Sequence, residues 1–122
     1  MLNIHEFNHS RRLKTGGWAE QDVDARAIHK GIDWYRVEDG FGTRGDREDW
    51  IADLPKLSVC VSRDLGSEYY RVGVRNFPTI EEAMDEAIKN AMRHSDWKID
   101  KCIEEMQDLQ VARARILAAI RA

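Results

Sequence analysis

The chain has 122 residues, 43% hydrophobic and 34% charged, and its 19 lysines and arginines against 22 aspartates and glutamates leave a net charge of −3. That is enough apolar material for one core, and the near balance of charge excludes a general electrostatic pull toward nucleic acid or an anionic membrane. Only Cys60 and Cys102 are present, which excludes a disulfide framework and a four-cysteine zinc site; with no apolar run of transmembrane length and no secretion signal, the chain reads as a cytoplasmic protein forming a single domain over 1–122.

In chain order, residues 1–17 are polar and carry Arg11, Arg12 and Lys14 before the breaker Gly16-Gly17, which predicts a basic arm. Residues 18–78 read as a mixed helix and strand region. Trp18 to Lys30 is expected to form a short helix with Trp18, Val23, Ala27 and Ile28 inward and Gly31 at its C′ position. Ile32 to Glu38, rich in aromatic and β-branched residues, predicts a strand, and Asp46 to Leu54 predicts a second short helix ended by Pro55. Alternation of Leu57, Val59 and Val61, then of Tyr70, Val72 and Val74, predicts a hairpin over 57–63 and 68–75.

From Thr79 to Ala122 there is neither glycine nor proline. Thr79-Ile80-Glu81-Glu82 has the form of a capping box, so a helix is expected to start there, with Ile80, Ala83, Met84, Ala87, Ile88, Ala91 and Met92 on one face. Beyond it, Ile99, Cys102, Met106, Leu109, Arg113, Ile116 and Ile120 are spaced by alternating threes and fours, the heptad of a coiled-coil seam that Arg113 interrupts. Ser95 and Asp96 are possible caps, and the reading is therefore two helices, 79–94 and 96–121, folded as a hairpin; the alternative is one continuous helix, too long for a small domain and in need of a partner chain. The expected fold is α+β: a small antiparallel sheet of about three strands packed against two C-terminal helices.

Several short patterns suggest chemistry. His5-Glu6-Phe7-Asn8-His9 matches H-E-x-x-H, in which histidines one helical turn apart bind zinc and the glutamate activates water. It resembles the motif of zinc metallopeptidases, with His29 downstream, and implies a zinc-dependent hydrolase using His5 and His9 as ligands; Asn8 and the lack of strands before the motif depart from that family. Gly40-Phe41-Gly42-Thr43-Arg44-Gly45 is similar to the dinucleotide-binding fingerprint, with Asp64 at a plausible distance. The polar strand before it and Pro55 after it favour a plain glycine turn, so no cofactor is expected. Arg44-Gly45-Asp46 spells a cell-adhesion tripeptide, read as chance in a chain with no secretion signal.

Arg11, Arg12, Lys14, Arg63, Tyr69, Arg71 and Arg75 could form a basic arm and hairpin face that grips phosphates and stacks a base, the basis for an alternative nucleic-acid-binding role. Acidic residues are distributed just as evenly, which favours a solvated face. One of the four tryptophans is expected at a contact surface. The leading expectation is a non-enzymatic protein–protein interaction module: an adaptor, assembly factor or inhibitor that binds a larger protein or itself as a homo-oligomer, with Ile99, Met106, Leu109, Arg113, Ile116 and Ile120 as the binding residues. The general make-up is similar to that of small accessory proteins of bacteria and their phages, including inhibitors of host defence complexes.

Overall fold

A computed structural model describes residues 1–37 and 47–122. They form seven strands and one helix: β1 (Ile4–Lys14), β2 (Glu20–His29), β3 (Ile32–Val37), β4 (Arg47–Ala52), β5 (Cys60–Asp64), β6 (Tyr70–Val72), β7 (Arg75–Phe77) and α1 (Ile80–Arg121). The strands make one sheet in the order β1 to β7, each antiparallel to the next. The expected three-strand sheet with two helices is thus corrected to a seven-strand meander with one long helix.

Each correction has a local cause. In β2, Val23, Ala25 and Ala27 are buried while Asp24, Arg26 and Ile28 are partly or fully exposed, a period of two that the helical reading of 18–30 missed because alanine carries little strand preference. Gly31 does have positive φ, 78°, but it follows Lys30 at 52° in the two-residue turn that pairs His29 with Ile32, the geometry of a tight hairpin rather than a helix end. In β4, Asp49, Trp50, Ile51 and Ala52 are all buried, so both faces are covered and no alternation exists to be read. The stretch read as a basic arm carries β1, an edge strand with only Phe7 and Leu13 half-buried.

The expected 57–63/68–75 hairpin survives in part. Strand β5 begins at Cys60, and the chain turns again at Gly73, whose φ is 59°, leaving Val74 exposed and starting β7. Nor does α1 break at Ser95. Its hydroxyl donates back to the Met92 carbonyl at 2.8 Å, a bond made within a continuing helix instead of a cap on the next one.

The chain divides into two compact units, Met1–Ala91 and Met92–Ala122. In the first, Ala25, Ala27, Trp34, Trp50, Ala52, Val59, Val61 and Val72 of the sheet side close on Ile80, Ala83, Met84 and Ala87 of α1. Ala27 and Ala52 flank Trp34 on the neighbouring strands, small residues beside a large ring in one packed cluster. Ile51 is also fully buried, against the β1–β2 turn: a Cβ at Gly16 would lie 2.6 Å from the Ala52 carbonyl oxygen and 2.8 Å from Ile51 Cγ2, so only glycine fits, and its φ of 55° is one that glycine adopts freely.

Polar contacts fix the start of α1. The Thr79 hydroxyl accepts from the Glu82 amide at 3.2 Å, one half of the expected capping box. Glu81 accepts from the Leu2 amide at 3.0 Å, Asp85 meets Lys30 at 2.7 Å and His29 at 2.8 Å, and Glu86 meets Arg75 at 3.0 Å. Lys30 and then His29 hold the Asp85 carboxyl below its ordinary range.

Candidate functional site

The second unit consists of α1 from Met92 to its end, rising about 45 Å at 1.5 Å per residue. Among its apolar residues Ile99 is 57% exposed, Met106 52%, Leu109 70%, Ile116 61% and Ile120 74%; Arg113 and Cys102 are exposed too. Every residue of the expected seam is therefore in solvent, on a single helix that keeps them in register. The sequence reading missed Ile103 and Leu117, both 43% exposed, which sit beside the seam at the position after Cys102 and Ile116. They widen it from the narrow a/d stripe of a heptad to an a/d/e stripe. Their spacing from Met106 and Ile120, three residues in each case, was the available signal.

An apolar helix face of this kind has one physical chemistry: it is stabilised by excluding water against a complementary apolar surface. A helix without tertiary packing gains little from its own hydrogen bonds, since isolated helices are marginal in water. Local pairs add small terms, with His94 stacked on Trp97 at 5.9 Å, Lys101 over the Trp97 ring at 5.8 Å and Lys101 near Glu104 at 3.9 Å. Trp97 is 56% exposed, whereas Trp34 and Trp50 are fully buried, so it is the tryptophan available at a surface.

The other expected sites are on the first unit. His5 and His9 lie on β1, where four residues span about 13 Å instead of the single turn that a helix would give. They are not brought together, and among the described residues no three metal-ligating side chains gather. The patterns Gly40–Gly45 and Arg44-Gly45-Asp46 lie outside the described residues.

Most of the expected nucleic-acid residues have acidic neighbours. Arg12 pairs with Glu20 at 3.3 Å, Arg63 with Glu48 at 2.6 Å, Arg71 with Asp64 at 3.1 Å and Arg75 with Glu86 at 3.0 Å. Arg11 lies over the Phe7 ring at 4.3 Å, Lys14 borders a hollow of about 600 Å³ with Lys56 and Asp53, and Tyr69 is exposed just before β6. Acids on neighbouring strands, and Glu86 on α1, thus pair with four of these seven residues.

A second charged cluster borders a hollow of about 290 Å³ lined by Asp24, Arg36, Arg47, Glu48 and Arg63. Asp49 is fully buried, accepting from Ser62 at 2.6 Å and from Arg47 at 3.2 Å, while Arg36 donates to Asp24 at 2.7 Å. Burial is the largest influence on Arg36 and opposes its charge, but the hydrogen bond to Asp24 together with the charges of Asp24, Glu48 and Glu6 outweighs it and raises the pKa. Each arginine here has an acidic partner, so the cluster reads as structural ion pairing. Cys60 is mostly enclosed, and burial pushes its thiol up to about 11, too high for a nucleophile at neutral pH.

No protein family, curated protein or solved structure matches this chain. Among the described residues no helix is long and apolar enough to cross a membrane.

Proposed function

We propose that this protein is a protein–protein interaction module whose C-terminal helical unit docks on another polypeptide. The observation that carries the reading is the run of exposed apolar side chains from Ile99 to Ile120 on one unbroken helix. Exposed apolar patches of this regularity mark contact surfaces. The role is that of an adaptor, assembly factor or inhibitor, with the sheet unit as a stable platform and no chemistry of its own. Two thiols that form no disulfide are consistent with work in a reducing compartment such as the cytoplasm.

The test is positional. A photo-crosslinking residue at position 109, on the seam, is expected to give adducts in cells expressing the protein, and the same residue at position 111, also exposed but on the other side of the helix, is not. Adding Ile116→Asp should abolish the adducts from 109. Equal yields from both positions, or yields untouched by Ile116→Asp, would sink the reading.

A further inference from the structure

Resting on that reading, we infer that the seam's occupant is a second copy of this chain, with the two C-terminal helices antiparallel. Charge is distributed unevenly along the exposed unit. Between Asp96 and Asp108 there are five acids, Asp96, Asp100, Glu104, Glu105 and Asp108, against Lys98 and Lys101, a local net charge of −3. From Leu109 to Ala122 the only charged side chains are Arg113, Arg115 and Arg121, a local net charge of +3. From Asp96 onward the helix has an acidic first half and a basic second half. Laid antiparallel on itself, each half lies alongside its complement, with Arg113 in the seam and Glu105 beside it and most of the other charges on outer positions; laid parallel and in register, like lies alongside like.

The interrupting residue in the seam points the same way. In a parallel pair Arg113 would face Arg113 of the other copy, two guanidinium groups in one partly desolvated layer. In an antiparallel pair a positions face d positions, and the register that spans Ile99 to Ile116 sets Met106 against Leu109, Ile99 against Ile116, and Cys102 against Arg113 of the second copy, with Ile120 beyond these layers and level with Ser95. Arg113 then lies within one turn of Glu105 of that copy. The Ile99–Ile116 and Met106–Leu109 layers are apolar on both sides, and the lone cation gains an anion. Ala112 and Ala119, both beside the seam, leave room for close approach of the two backbones.

Cys102 makes the orientation measurable. It is exposed, and in the antiparallel register it faces Arg113, whereas in a parallel in-register pair it faces its own copy. Copper-catalysed oxidation of purified wild-type protein, followed by peptide mapping, should therefore give little Cys102–Cys102 disulfide, and the Arg113→Cys variant should give a dimer joined between position 113 and Cys102. A charge exchange supplies an independent readout. Arg113→Glu with Arg115→Glu should weaken dimerisation by about tenfold or more in sedimentation equilibrium, and adding Glu104→Lys with Glu105→Lys should restore most of it.

High-yield Cys102–Cys102 linkage in the wild type, or insensitivity to the first charge pair, would overturn the antiparallel arrangement while leaving the interaction reading intact. A strictly monomeric wild type at about 100 μM would overturn self-pairing altogether, since a seam that needs a higher concentration is too weak to be its designed occupant. The docking reading itself would then stand or fall on adducts from position 109 to a different protein, so the two failures are distinct.

Discussion

Helix α1 carries the same apolar spacing through two different surroundings. From Ile80 to Ala91 its stripe is in the core of the sheet unit, with Ala83 and Met84 fully buried; from Met92 onward its apolar residues are exposed. The contrast teaches that helical periodicity reports that a face needs covering, and says nothing of whether the same chain covers it. In the first stretch the cover is Trp34, Trp50 and the sheet alanines; in the second, the proposal assigns it to another polypeptide.

The sharpest way to break the contrast is to treat the two stretches alike. Met84→Ala should destabilise the sheet unit by about 2–5 kcal/mol, the cost of a core cavity, and Leu109→Ala should leave its unfolding midpoint unchanged in a denaturant titration. Equal sensitivity would mean that the second stretch is packed after all. A smaller effect is expected at the helix start, where Thr79→Ala removes the acceptor for the Glu82 amide and should cost about 1 kcal/mol by thermal melting.

Smaller still is the ion pair at Asp85, which is about one-third exposed, so its contribution is near the ~0.5 kcal/mol of surface pairs. Because its folded pKa is lowered by Lys30 and His29, this stability is fully present above the unfolded value of about 3.9 and is lost as pH falls through the lower folded value. Asp85→Asn should lower the melting temperature at pH 7, and the gap between variant and wild type should close on acidification below pH 4. A gap that persists at pH 2 would assign the role of Asp85 to packing. Thiol chemistry separates the regions without altering stability: iodoacetamide at pH 8, at a dilution that keeps the chain monomeric and read by mass spectrometry, should modify exposed Cys102 and spare Cys60, whose thiol burial has pushed to about 11.

Legibility in the sequence followed the same division. The capped start at Thr79 and the seam from Ile99 to Ile120 could be read because a one-sided helix writes its period into the chain. Of the seven strands, β3 and part of the β5–β6 region were readable, since Trp34-Tyr35 and Val59-Cys60-Val61 pair strand-forming residues with alternation. Strand β4 was opaque because it is buried on both faces, β2 because alanine fills its inward positions, and β1 because an edge strand with few inward residues looks like a polar arm. Ser95 misled for another reason: a serine that could cap a helix bonds instead to its own preceding turn. The acids that neutralise Arg12, Arg63 and Arg71 are paired across or between strands, so the basic face they mask could be judged only once the register was known.

Sedimentation equilibrium of the intact chain, wild type beside Leu109→Asp/Ile116→Asp, bears most directly on the claim that the exposed seam is a docking surface filled by a second copy. The expected result is a dimer for the wild type and a monomer for the double variant, with identical thermal unfolding of the sheet unit. A wild type that stays monomeric, or a dimer that the double variant leaves intact, would contradict the account.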